Sequence, residues 1–437
     1  MLLAALACLA ALSCNKQQDV PNPEPTAKVV GTPLDSRWQI TQNLASANWR
    51  AAGICYATAG EGRNKAYITA VSETGNELSF GSASGLSVTG LQEGDYLLFG
   101  VPMEDLEKST DIDFFLTIDV SGNNAPSEWI FEYKSDGEWK KGRTFATIGS
   151  STSSNTTFIE HFTTSEPIQN DTLLMRCKIT RGGSSTGTVC IAPFNFEGCR
   201  ILAYPASKFP ATTETKKIAA LGNSFSFYYA PVWMMKEIAR SEGHQIDLRM
   251  NVKGGLTLGQ HLSLKLSKAV AKEGGYDYAI LQDQSTKHSS YYNNPKSSTS
   301  QTTLSDTKNL VSLIHSASPD CAILLENTWA YSMSNFMSYG SYEAFDAALI
   351  GGTTAIAAKV GATPSPIGTA FASARAAGFN TEYSDNKHQS EYAAYLKACV
   401  NYLMIYGKPF TKSASDCNLP HKAALELQKI AEQTVIN

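Results

Sequence analysis

Two patterns of hydrophobic and polar residues divide the chain. Up to about residue 205 the apolar residues come in short runs rich in aromatic and β-branched side chains. These runs are Asp95–Val101, Ile112–Val120, Trp129–Tyr133, Thr172–Ile179 and Thr188–Ala192. Gly, Asn, Asp and Ser clusters separate them and helical spacing is scarce, which predicts strands joined by turns. Ser135-Asp136-Gly137-Glu138 lies between two such runs and is a tight hairpin signal through Asp-Gly. A succession of short strands of this kind predicts an all-β sandwich of the jelly-roll type.

Beyond residue 216 the pattern changes to apolar runs alternating with helical spacing. Ile218–Leu221 predicts a buried strand, and a helix begins near Tyr229 with Val232, Met235, Ile238 and Ala239 on one face and Pro231 in its first turn. Strands are expected at Ile246–Val252, Asp277–Leu281 and Cys321–Glu326. Helices are expected at Leu258–Ala271, Leu304–Ala317, Ser341–Val360 and Glu391–Tyr406. Gly254-Gly255 breaks the second strand, Pro364–Gly368 is a short extended segment, and Ser285–Ser305 is a long polar stretch without periodicity, expected to be a loop. Strand–helix alternation predicts a parallel sheet covered by helices on both faces. The fold class is therefore α/β, a three-layer α/β/α domain over 216–437 preceded by the β-sandwich over 34–205, with 206–215 as connector.

The first residues differ from both halves. Met1–Ser13 is almost wholly Leu and Ala, Cys14 follows Ala11-Leu12-Ser13, and 15–33 is a linker rich in Pro, Gln and Asn. This resembles a bacterial lipoprotein signal over 1–14, with Cys14 the lipidated residue and Cys8 a second, poorer candidate. It departs from that pattern in lacking a basic start and in carrying Ala11 where Leu is usual. The resemblance implies an exported protein, lipid-anchored to the bacterial cell envelope, that meets a membrane only through its anchor. No apolar run after residue 14 is long enough to cross a bilayer.

Apolar residues make up 43% of the chain and charged residues 17%, enough for sizeable cores. The net charge of −4 argues against a nucleic-acid partner. Without Cys8 and Cys14 the cysteines are Cys55, Cys177, Cys190, Cys199, Cys321, Cys399 and Cys417, with no C-x-x-C pair. That excludes a zinc site or disulfide scaffold of the usual spacing, while leaving one bridge open among Cys177, Cys190 and Cys199. No Gly-rich phosphate loop, H-E-x-x-H or carboxylate cluster is present, so neither cofactor nor metal is expected.

The candidate chemistry lies at the two ends of the α/β half. Gly222-Asn223-Ser224-Phe225-Ser226 sits between a strand and a helix, where a serine hydroxyl stands at the ligand edge of an open sheet and a helix start offers N–H groups. Ser384-Asp385-Asn386-Lys387-His388 places an aspartate three residues before a histidine in a polar loop. Nucleophilic serine chemistry needs such a base and such an orienting carboxylate. His261 and His288 lie near the same strand ends, and Trp329, Tyr291 and Tyr292 are candidates for a cleft wall or for packing.

These two blocks, with Asn251-Val-Lys-Gly-Gly255-Leu-Thr-Leu258 and Tyr278-Ala-Ile-Leu-Gln282-Asp-Gln284-Ser285 between them, resemble the four blocks of the SGNH (GDSL-type) hydrolase family, in particular a bacterial subfamily of undefined function. The resemblance covers residues 216–407. It implies Ser224 as nucleophile, His388 as base and Asp385 as its orienting partner, with an oxyanion hole from Ser224 N–H, Gly255 N–H (Gly254 as alternate) and the Gln284 side chain. The family's third block usually reads Gly-x-Asn-Asp. Here Gln282 and Gln284 replace its Gly and Asn, so either glutamine is a candidate third donor. The implied activity is that of a serine esterase removing O-acetyl or other acyl groups from glycans. A non-catalytic glycan-binding surface lipoprotein and a lipase or thioesterase of the same family are the alternatives. In the first half, Trp129–Trp139 resembles the strand–turn–strand of galactose-binding-like jelly rolls, and Trp38, Trp49, Trp129 and Trp139 are candidates for stacking on sugars or for packing.

Overall fold

The structure is a computed structural model that describes residues 34–37, 51–53, 66–76, 78–81, 86–102, 111–121, 125–147, 155–163, 172–191, 199–204, 210–412 and 414–436. Cys8, Cys14, Trp38, Trp49, Cys55 and the linker 15–33 lie outside these residues.

The strands of the first half are β1 (Leu34–Arg37), β2 (Ala51–Gly53), β3 (Ala66–Val71), β4 (Ser79–Gly81), β5 (Leu86–Thr89), β6 (Tyr96–Pro102), β7 (Asp111–Ser121), β8 (Pro126–Ser135), β9 (Glu138–Ala146), β10 (Asn155–Thr163), β11 (Thr172–Gly182), β12 (Thr188–Ile191) and β13 (Cys199–Tyr204). One antiparallel sheet runs β1-β13-β7-β12-β5-β4 with β10 on the far side of β7, and the other runs β2-β3-β6-β11-β8-β9. The expected hairpin joins β8 to β9. Asp136 (φ 55°) and Gly137 (φ 76°) both take the left-handed conformation that a two-residue turn demands. Alternate residues of both sheets, Ile112, Phe114, Leu116, Phe99, Trp129, Phe131 and Met175 among them, meet in one sandwich core. Trp129 is thus a core residue, and Trp139 lies under the Arg176 guanidinium, 4.2 Å from the ring centroid. Cys177 is a buried, unbridged thiol, which removes it from the disulfide left open by the sequence.

The second half is a five-stranded, all-parallel sheet in the order β15-β14-β16-β17-β18. Its strands are β14 (Glu214–Gly222), β15 (His244–Val252), β16 (Tyr278–Leu281), β17 (Ala322–Glu326) and β18 (Thr363–Ser365). The helices are α1 (Pro231–Ser241), α2 (Leu258–His261), α3 (Lys265–Glu273), α4 (Lys287–Asn293), α5 (Ser298–His315), α6 (Met333–Met337), α7 (Tyr342–Val360), α8 (Ile367–Ala376), α9 (Glu391–Tyr406) and α10 (His421–Val435). Strand alternation splits the core in two. Ile218, Ala220, Ile280 and Leu324 face α1, α8, α9 and α10, whereas Ala219, Leu221, Ala279 and Leu325 face α2–α5 and α7. The chain leaves β14 for β15 on one side and returns to β16 on the other. The carboxyl ends of β14 and β16 therefore flank the switch point where such sheets bind ligands.

Three expectations are corrected. The stretch 285–305 is mostly helix, not loop: Ser297 caps α5 by accepting from Ser300 N–H, and Thr303 and Thr307 donate back to the carbonyls of Thr299 and Thr303. Small hydroxyl side chains there fill the buried helix face that apolar residues usually mark, so periodicity was absent. The helix expected over 258–271 is broken between α2 and α3, at an extended Leu264. Of the extended segment expected at Pro364–Gly368, Pro364 and Ser365 belong to β18, whereas Ile367 and Gly368 already open α8.

The halves share strand β7. Its residues 112, 114 and 116 point into the sandwich, and Phe115 points the other way, onto Trp233 of α1 with ring centroids 5.6 Å apart. On the same outer face Asp113 Oδ1 lies 3.2 Å from Lys236 Nζ, and Asp111 Oδ2 lies 3.0 Å from an Arg240 nitrogen. Every residue of α1 is buried, charged ones included, because it is covered by the sheet and α9 on one side and by the sandwich on the other.

Candidate active site

The turn after β14 is fixed at almost every polar group. Ser224–Ser226 forms a 3₁₀ turn capped by Asn223, whose Oδ1 accepts from Phe225 N–H and whose Nδ2 donates to Leu256 O at 2.9 Å. The Gly222 carbonyl accepts from His261 Nε2 at 3.0 Å, and Gln282 Oε1 accepts from Asn223 N–H at 2.9 Å and from Ser226 Oγ at 3.0 Å. Only glycine fits position 222, since a Cβ there would lie 2.9 Å from Gln282 Oε1 and closer still to Ser226 Oγ. On the far side, the Phe225 carbonyl accepts from Lys397 Nζ at 2.9 Å and from Gln389 Nε2 at 3.1 Å. Ser224 is held at the tip, half-buried.

The second block meets the first across 164 residues of sequence: His388 Nε2 lies 2.8 Å from Ser224 Oγ. Asp385 folds back beneath the ring. Its Oδ2 lies 2.5 Å from His388 Nδ1, while its Oδ1 accepts from the N–H groups of Lys387 and His388 at 3.0 Å. With Nδ1–H donating to the carboxylate, Nε2 keeps its lone pair for the serine hydroxyl. Burial lowers the His388 pKa below its ordinary value, the Asp385 carboxylate pulls it upward, and Lys387 adds to the lowering. Burial opposes ionisation of Asp385, but its hydrogen bonds from His388 and Lys387 outweigh that and hold it below the usual carboxylate range. The imidazole is further clamped by Tyr228, stacked at 3.8 Å with 6° between planes, and by the edge of Phe225. A neutral base poised on a hydroxyl, with a carboxylate behind it, can accept a proton from that hydroxyl and return it to a leaving group.

Among the described residues the backbone N–H groups of Ser224 and Gly255 have no hydrogen-bond partner. Gly255 stands exposed at φ 74° in a turn closed by Leu256 N–H on Lys253 O, with open space beside both it and Gly254. The two glutamines separate. Gln282 is fully buried with its oxygen committed to the turn, whereas Gln284 is half-buried, with Nε2 donating to Ser285 Oγ at 3.1 Å and Oε1 accepting from Thr286. Gln282 is thus out of reach of a substrate, and Gln284 has its second amide hydrogen to offer.

The neighbouring candidates are supports. Trp329 is fully buried, stacked on Phe225 at 4.1 Å, and so lines no cleft. Tyr291 is buried, and the exposed Tyr292 lies over Gly351 of α7. His261 is buried beneath the turn between Gly222 O and Ser267 Oγ, and burial brings its pKa to about 4. The break before α3 allows this, because it lets His261 and Ser267 face each other. His288 is buried against Thr353, its pKa likewise pushed to about 4. Asp283 Oδ1 accepts from the N–H groups of Leu258, at the start of α2, and Gln284, and burial raises it to about 6. Sequence reasoning missed Lys397, Glu326, Gln389 and Tyr228. Lys397 pairs with Glu326 Oε2 at 2.5 Å, both fully buried. A lone lysine in the apolar run Ala393–Val400, and a glutamate closing the apolar strand β17, were the available signals, since buried charges must be paired.

The loop is braced by an unusual segment. Ser334, Asn335, Phe336 and Met337 of α6, with Ser338 after it, all have φ between 50° and 73°, so α6 is a left-handed turn of non-glycine residues and not a right-handed helix. It is tied to the Asp385–His388 loop by Met333 N–H on Asn386 O and by Ser332 on Glu382.

No family model and no curated protein matches the chain. Among solved structures it is similar to a DUF4886-family protein of Bacteroides uniformis, at 19% identity over 51% of this chain and 95% of that one, TM-score 0.41. It is also similar to a family two carbohydrate esterase of Clostridium thermocellum solved with cellohexaose, at 14% identity over 76% of this chain and 96% of that one, TM-score 0.32. A third is an acetylxylan esterase of Geobacillus stearothermophilus, at 14% identity over 46% of this chain and 98% of that one, TM-score 0.34.

Proposed function

We propose that the chain is a serine esterase that removes acyl groups, O-acetyl foremost, from glycans. The observation that carries the reading is the unbroken hydrogen-bond line Ser224 Oγ–His388–Asp385 at the switch point of the sheet. Ser224 Oγ attacks the ester carbonyl carbon while His388 Nε2 takes its proton. The resulting oxyanion faces the free N–H groups of Ser224 and Gly255, with Gln284 Nε2 as third donor. Collapse expels the sugar alkoxide, which takes the proton back from His388 and leaves an acyl-serine. Water, deprotonated by the same nitrogen, then releases the carboxylic acid. Asp385 holds the ring in the Nδ1–H tautomer throughout and stabilises the imidazolium. A sugar as the alcohol half is supported by Tyr228, Tyr229 and Tyr383, half-buried rings grouped beside His388 and suited to stacking on a pyranose.

A fluorophosphonate probe on the purified protein tests this. Labelling at Ser224 that is lost in Ser224→Ala, with acetate released from an acetylated polysaccharide, is the expected result. A folded protein that neither labels nor releases acetate from a broad panel refutes it and leaves the glycan-binding alternative, which the self-directed hydrogen bonds of Gln284 favour. The reading includes lipidation of Cys14 and anchorage at the cell envelope. Incorporation of a clickable fatty acid, abolished by Cys14→Ala, is its check.

A further inference from the structure

Lys397 does more than fill a core. Its ammonium is fully buried, and besides Glu326 it donates to the Phe225 carbonyl at 2.9 Å. That carbonyl belongs to the same peptide unit as Ser226 N–H, which donates to the Asn223 carbonyl at 2.8 Å. The Asn223 carbonyl in turn shares its peptide unit with Ser224 N–H, the donor left free at the tip of the turn. The ammonium, two peptide units and the free N–H therefore form one head-to-tail hydrogen-bond chain. Gln389 adds a second, neutral donor to the Phe225 carbonyl from the residue beside His388. Glu326 is fixed in turn by Asn401 Nδ2 at 2.9 Å, and Ser365 Oγ fixes Asn401.

Donating to a carbonyl polarises its amide, and the amide's own N–H becomes a stronger donor to the next acceptor, an effect enhanced where the surroundings are apolar. A replacement of a buried ion pair by apolar residues of similar volume is often neutral or stabilising, so stability alone does not explain the pair's presence. We propose that Lys397 is a positioning residue of the oxyanion hole, a buried cation that strengthens the Ser224 N–H donor through the Phe225 and Asn223 peptide units. The inference rests on the serine-esterase reading, since it acts on that reaction's developing oxyanion. Burial lowers the Lys397 pKa below its ordinary value, and Glu326 opposes that by its charge and its hydrogen bond while keeping the ammonium aimed at the turn.

The test compares wild type with Lys397→Met/Glu326→Gln, which removes both charges together, because Lys397→Met alone strands a buried carboxylate. With p-nitrophenyl acetate, kcat in the double variant falls by about tenfold, a fraction of the about 10²–10³ lost with a whole oxyanion donor. Its KM and the pH midpoint of kcat/KM stay at wild-type values. Affinity for phenylboronic acid, which forms a tetrahedral anion on Ser224, falls by the same factor as kcat. A folded double variant with wild-type kcat overturns the inference while leaving the esterase reading intact. So does one in which KM and the pH midpoint shift along with kcat, the signature of a loosened site. A wild-type protein inert to both the ester and the fluorophosphonate sinks the parent reading itself.

Discussion

Gln282 and Gln284 sit two residues apart after β16, and the proposed mechanism gives them opposite work. Gln282→Met keeps the side-chain volume and deletes the carboxamide, whose nitrogen donates to Asp283 O and whose oxygen holds the turn. That oxygen accepts from Asn223 N–H and Ser226 O–H, both buried. Each buried donor left without a partner costs about 1–3 kcal/mol, so the pair predicts a loss of about 2–6 kcal/mol in unfolding free energy. Gln284→Met deletes contacts to Ser285 and Thr286 at a half-buried site where water substitutes, and its loss of stability stays below about 1.5 kcal/mol. The order reverses for activity relative to stability. If Gln284 Nε2 holds the oxyanion, Gln284→Met slows acylation of Ser224 by about 10²–10³ with the fold intact. Urea denaturation followed by tryptophan fluorescence gives the stabilities, and stopped-time labelling with a fluorophosphonate gives the acylation rates. A Gln282→Met protein as stable as wild type refutes the reasoning about the turn. A Gln284→Met protein with wild-type acylation removes that residue from the oxyanion hole.

Other outcomes follow from the same geometry. Because burial holds His388 below its ordinary value, kcat/KM is present above that lowered pKa and is lost as pH falls through it. A pH–rate profile whose acidic limb lies above 6.5 contradicts the assignment. Asp283 is raised to about 6, so its protonated form favours the fold below the unfolded carboxylate range and that contribution disappears as pH rises through 6. Asp283→Asn therefore stabilises the protein at pH 7–8 by about 3 kcal/mol, measured by denaturant titration, with little change at pH 4. In the left-handed turn, Ser334→Gly and Ser338→Gly relieve exposed non-glycine residues and each raise stability by about 1 kcal/mol, seen as a higher midpoint in thermal unfolding.

Much of this was legible in the chain because local rules and tertiary demands agreed. Asp136-Gly137 specified its hairpin and Pro231 its helix start. The blocks at Ser224 and Asp385–His388 were found from residue order, and the structure brings them within hydrogen-bond reach. What escaped was of two kinds. Helix α4 and the first turns of α5 bury hydroxyl-bearing faces, so the apolar period that marks a helix is missing from Ser285–Ser305. The supports around the turn and the imidazole, Lys397, Glu326, Gln389 and Tyr228, come from separate stretches of the chain, and convergence in space leaves no spacing in sequence. For Trp329 and Tyr291 the sequence left cleft wall and packing open, and burial decides for packing.

Strand β7 has one more consequence, for how the molecule can be taken apart. Its two faces serve two cores, and its acidic residues neutralise Lys236 and Arg240 on the helix that follows the serine turn. Cutting the chain between the halves would leave Asp111, Asp113 and Phe115 facing water on one fragment and a bare Trp233, Lys236 and Arg240 on the other. Neither fragment would inherit a finished surface. The sandwich is therefore less an appended module than the missing outer wall of the α/β half, and heat or denaturant should melt the two as a single cooperative unit.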